Sequence, residues 1–145
     1  MIIDAQNLLW DAAALTATAY STNAIDLGAA NKDISVGEPL CLVLQVDVAA
    51  DGTTTDETYA FAVIQSANSN LSSEDTLISR TLTYAQLTAG SIFIIPLPAG
   101  SVTKRYIGAK ATLGGTTPSV TVTAFIQPLS MIQMNKVYAD AITIS

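Results

Sequence analysis

The stretch Leu40-Cys41-Leu42-Val43-Leu44-Gln45-Val46-Asp47-Val48 decides the fold class. Successive side chains of a β-strand point to opposite faces, so residues two apart share a face. Leu40, Leu42, Leu44, Val46 and Val48 therefore form one apolar face, with Gln45 and Asp47 on the other. The same rhythm recurs. Tyr59, Phe61 and Val63 alternate with Ala60 and Ala62. Arg105, Ile107, Ala109, Ala111 and Leu113 alternate with Lys104, Tyr106 and Lys110. Val120, Val122, Ala124 and Ile126 alternate with Thr121 and Thr123. The run from Ile92 to Ile95 is continuously apolar, as expected of a strand buried on both faces.

Turn chemistry separates these runs. Asp51-Gly52 reads as a tight-turn pair between two strands, and Gly114-Gly115 before Pro118 as a second break. Pro96, Pro98 and Gly100 end the apolar run, because proline donates no ladder hydrogen bond. Residues 66–75 are polar and read as a loop, and Tyr84-Ala85-Gln86-Leu87 as a single helical turn. No segment sustains a 3.6-residue period. Seven to nine short strands with regular breaks predict an all-β chain, an eight-stranded jelly-roll-like β-sandwich.

The 145 residues are expected to form one domain, residues 1–145, with extended arms at residues 1–15 and 128–145. Both ends are apolar without alternation. Ile2, Ile3, Leu8, Leu9 and Trp10 lie at one end, and Met131, Met134 and Tyr138 at the other. Termini this apolar pack on their own sandwich or grip a neighbour, so these eight residues are the candidate interface. Trp10 stands out, since tryptophan concentrates binding energy when buried between chains. Capping its own core is the alternative.

Composition removes several classes of chemistry. There is no histidine, hence no His-based triad, no imidazole general base and no Cys/His zinc site. Cys41 is the one cysteine and reads as a buried, inert thiol. Asp47, Asp51, Asp56, Glu57, Glu74 and Asp75 are the candidate acids for glycosidase chemistry, and solvated loop acids are the expectation. The segment 51–57 lacks the Asp-x-Asp-x-Asp-Gly frame of an EF-hand calcium loop. The chain is therefore expected not to be an enzyme and to need no cofactor or metal.

The net charge of −6, with only six Lys and Arg, lacks the basic footprint that nucleic acid or an anionic membrane requires. No apolar run approaches the roughly 18 residues of a membrane span. Met1-Ile2-Ile3-Asp4 does not resemble a signal peptide, so synthesis in a cytoplasm is expected. The Lys104-Arg105 pair meets an acidic partner or covers a strand edge.

Three stretches resemble a known family. The first runs from Ala17 through Tyr20, Ile25 and Gly28 to Asp33-Ile34-Ser35-Val36-Gly37-Glu38-Pro39-Leu40. The second is Ile95-Pro96-Leu97-Pro98-Ala99-Gly100 with Arg105-Tyr106-Ile107 after it, and the third is Val120 to Ile126. In this order they resemble the jelly-roll cement, or decoration, proteins on capsids of short-tailed bacteriophages, such as that of a Bordetella phage. The resemblance implies a structural protein without turnover, made in the bacterial host and carried on the capsid exterior of the virion. It implies binding to an assembled shell, bridging neighbouring major capsid protein subunits, as a homo-oligomer (dimer or trimer). A jelly-roll carbohydrate-binding or host-attachment module is the alternative.

Overall fold

The computed structural model describes residues 5–131. Nine strands follow a short 3-10 turn at Ala5–Asn7: β1 (Leu8–Leu15), β2 (Ala19–Tyr20), β3 (Ile25–Asp26), β4 (Leu40–Val48), β5 (Thr58–Ser66), β6 (Asp75–Leu82), β7 (Ile92–Pro96), β8 (Tyr106–Gly114) and β9 (Val120–Pro128). A second 3-10 turn, Leu129–Met131, closes the described part. One sheet has the order β1-β9-β4-β7. The other has the order β2-β8-β5-β6, with β3 also on β8. All pairings are antiparallel.

Strands β2 and β3 occupy one position beside β8, interrupted at residues 21–24. Counted so, nine segments fill eight positions. The first position pairs with the eighth, the second with the seventh, the third with the sixth and the fourth with the fifth. That is one long antiparallel hairpin folded over into two layers, the jelly roll expected from the sequence.

The core lies between the sheets. Leu42, Leu44 and Val46 meet Tyr59, Phe61 and Val63 from the facing sheet, with Ile107, Ala109, Ala111, Val120, Val122 and Ala124 around them. Each is at most 2% exposed. The alternation read from these strands is therefore the core itself.

Four local expectations change. Val48 is 60% exposed, because a bulge between Val46 and Val48 shifts the register on β9 and turns the last residue outward. Asp51-Gly52 makes no hairpin turn. Strands β4 and β5 belong to different sheets, so residues 49–57 cross the sandwich. Strand β7 pairs only with β4 and is an edge, so Ile92, Phe93 and Ile94 are half-buried rather than covered on both faces. Edge position is also what lets β7 carry Pro96.

The fourth concerns residues 1–15. From Leu8 onward they are strand β1 rather than an extended arm. Register shifts between Leu8 and Trp10, and between Trp10 and Ala13, break the pleat. Two consecutive residues, Leu9 and Trp10, thus both enter the core, at 0% and 1% exposure. The Trp10 ring meets Phe61 edge-on, with centroids 6.4 Å apart. Ala12 takes the left-handed φ of 45° at the second bulge. Its amide donates to the Thr123 hydroxyl, which in turn donates to Asp47. This accounts for the missing alternation in the N-terminal segment.

Candidate functional site

The two ends of the sandwich differ in chemistry. At the end where β4 and β8 begin and β9 finishes, Ile25, Leu27, Ile34, Leu40, Ile107, Ile126 and Pro128 line an apolar cavity of about 200 Å³. Asn7 and Gln127 complete its wall. Val36, Leu129 and Met131 adjoin it in the chain and are 56%, 47% and 56% exposed. Exposed apolar side chains this close in the chain to the lining of a concavity make that end the candidate contact surface.

The long connection between β3 and β4 builds this end, and polar ties hold it. Ser35, buried and at a φ of 59°, accepts from the Leu40 amide and donates to the Leu97 carbonyl. The Leu129 amide donates to the Pro39 carbonyl, and the Ser130 hydroxyl to Glu38. Asp26 accepts two hydrogen bonds from Arg105, at 2.7 and 2.9 Å, and one from the Gly28 amide. Arg105, first, and then the Gly28 amide hold the Asp26 carboxyl down at about 2. Val36 is thus carried on a braced connection, and Leu129 is tied to it, which keeps the ordering cost of binding low.

Of the candidate interface residues, Leu9 and Trp10 are inside the chain's own core, and Leu8 is half-buried in β1. Met131 is exposed, three residues beyond the cavity-lining Pro128. Ile2, Ile3, Met134 and Tyr138 lie outside the described residues. Val36 and Leu129 were not singled out from the sequence. Their signal was an apolar residue beside Gly37 or Pro128, where a chain break leaves no strand to bury it.

Four basic groups among the described residues are engaged within the chain. Lys104 pairs with Asp75 at 2.7 Å, Arg105 with Asp26, and Lys110 with Glu74 at 2.6 Å. The Arg80 guanidinium lies over the Phe93 ring. Both members of the Lys104-Arg105 pair are thus engaged in cis. Cys41 is fully buried, and burial pushes its thiol up to about 11, away from thiolate chemistry.

The sequence matches the family described as Bbp16 over residues 9–126. The chain belongs to the Bbp16 family. Bbp16 proteins are phage-type structural proteins, and a virion component is the coarse role that membership carries. The matched residues run from β1 almost to the end of β9, so the family is defined over the whole sandwich. No curated protein sequence matches the chain. Among solved structures, chains of infectious bursal disease virus are similar. The Gx strain matches at 17% identity and a TM-score of 0.33, over 82% of this chain and 30% of that one. The Gt strain matches at 16% identity and 0.32, over 87% and 33%. This Bbp16-family chain thus spans about a third of the length of those viral chains.

Proposed function

We propose that this Bbp16-family protein is a capsid decoration protein. It binds the outside of the assembled phage shell, bridges neighbouring major capsid protein subunits and stabilises the shell by adhesion, without turnover. The observation that carries this reading is the apolar end: a cavity lined by Ile25, Leu27, Ile34, Leu40, Ile107 and Ile126, with exposed Val36, Leu129 and Met131 within three residues of its lining in the chain. In this reading that end is the foot on the capsid. An apolar side chain of the shell would fill the cavity, and the exposed apolar side chains would exclude water around it.

The charge distribution supports an exterior position. A net charge of −6, with three of its six basic residues ion-paired among the described residues, is repelled by packaged DNA but suits a solvated particle surface. Preference for the assembled lattice follows from linkage, because a ligand shifts an equilibrium toward whichever state it binds better. If copies associate, a second foot lands at an effective concentration of about millimolar, and modest contacts add up.

The test is co-sedimentation with assembled capsids and with unassembled capsid protein. The protein is expected to pellet with the first and stay in solution with the second. Its absence from purified virions would overturn the proposal.

A further inference from the structure

The sheet β1-β9-β4-β7 is apolar on its outer face as well as on its core face. In β4 the run Leu40-Cys41-Leu42-Val43-Leu44 is apolar without a break. Leu42 and Leu44 belong to the core, so Cys41 and Val43 point the other way. Residues opposite one another on paired strands share a face. The register sets Leu8 opposite Phe125, Phe125 opposite Val43, and Val43 opposite Ile94. That is one apolar row across all four strands. Cys41 lies in the next row, between Gln127 and Pro96.

The outward face of an antiparallel sandwich is ordinarily wet. Here Cys41 and Val43 are 0% exposed and Phe125 is 1% exposed. Neighbouring strands, about 4.8 Å away, shield the flanks of a side chain and leave its tip open. Something must therefore lie over these tips. On the facing sheet the equivalent cover is plain, since Leu71 from the loop after β5 packs on Ala62 and Ile64. Over Cys41, Val43 and Phe125 it is not, because the core clusters among the described residues include none of the three.

We propose that residues 132–145 of the same chain lie across this face and seal it. The burial is that of a single chain, so the cover is sought within it. Residues 132–145 have the position, the length and the composition. They follow β9, the strand that carries Phe125, and the Leu129–Met131 turn is pinned there by the Leu129 amide donating to the Pro39 carbonyl just before β4. Extended at about 3.3 Å per residue, the segment spans about 45 Å, against about 30 Å for the length of β4. Met134, Tyr138, Ile142 and Ile144 supply apolar surface, and Lys136 and Asp140 cancel in charge. Residues 1–4 are the rival cover, but they reach about 13 Å, enough for one margin of the face. A segment bound in this way acts as a latch. It withholds Met134 and Tyr138 from other chains and closes this sheet face to partners.

Cys41, the one cysteine, lies beneath the proposed cover, so its labelling by a thiol reagent under native conditions reports the cover directly. The experiment compares the full chain with a truncation after Met131, each followed by circular dichroism and thermal unfolding. The expected result for the truncation is a native β spectrum, a melting temperature several degrees lower, and Cys41 labelled faster by about tenfold or more. Ala124→Cys in a Cys41→Ala background reports the core face and should stay protected in the truncation. Should the truncation fail to fold, the full chain carrying Ile142→Asp and Ile144→Asp is the second variant, with the same expected rise at Cys41. Cys41 protected equally in parent and variants would overturn the proposal. So would labelling of the core-face cysteine as fast as Cys41, which marks general loosening. Protection of the full chain that is lost on dilution would place the cover on a second copy, and exposure of Cys41 on deleting residues 1–4 alone would place it at the other terminus. Either result overturns the proposal.

Discussion

Glu74 is held from two sides, by the Lys110 ammonium at 2.6 Å on one oxygen and by the Tyr20 hydroxyl at 2.6 Å on the other. Lys110 first, and then Tyr20, bring its carboxyl from an ordinary 4.5 down to about 2. Folding therefore favours the charged form, so this contact stabilises fully above about pH 4.5 and its contribution is lost as pH falls toward 2. Asp26, brought to about 2 by Arg105, loses its contribution over a similar acid range. The expected outcome for Glu74→Gln is a lower melting temperature than the parent at pH 7, with the gap closing between about pH 4.5 and 2. Circular dichroism melts across that range check it, and a gap that stays constant to pH 2 contradicts the assignment. Such pairing was not legible beforehand. Glu74 and Lys110 are far apart in sequence, and only the β5–β6 hairpin beside β8 brings them together.

At the scale of the element, alternation identified β4, β5, β8 and β9 because each lies inside a sheet with one face on the core. It failed in β1, where two register shifts send Leu9 and Trp10 to the same side. A bulge is set by where the partner strand's hydrogen bonds fall, and no local pattern carries that information. Trp10→Ala should accordingly act as a core truncation, costing about 3–5 kcal/mol by chemical denaturation whether or not other chains are present. A loss of capsid binding with unchanged stability would instead make Trp10 a contact residue. The loop after β5 shows the same dependence on context. Residues 66–75 read as polar, yet Leu71 is 1% exposed, packed with Ala62 and Ile64 on the outer face of its sheet. Gly108 makes the room, since a Cβ there would lie 2.3 Å from the Leu71 side chain.

The whole molecule is polar from end to end, with an apolar cavity at one pole and carboxyl-bearing crossing loops at the other. Two exposed valines allow that polarity to be tested directly. Val36 lies at the apolar pole and Val48 where β4 runs into the crossing loop, 56% and 60% exposed. Neither is in the core, so Val36→Asp and Val48→Asp should both melt close to the parent. Only Val36→Asp should weaken capsid co-sedimentation, by about tenfold or more, as a charge placed in an apolar contact would. Equal effects of the two would remove the apolar pole as the capsid-facing surface. By itself, the amino-acid order determined a two-layer all-β body and the side chains available to it, because the pleat makes every second residue a neighbour wherever a strand lies. The tertiary structure alone decided which apolar residues are core and which are surface. It put Trp10 inside and left Val36, Leu129 and Met131 outside. Those outcomes depend on bulges, on sheet order and on which loops share a pole, and all three arise from pairings between residues distant in the chain.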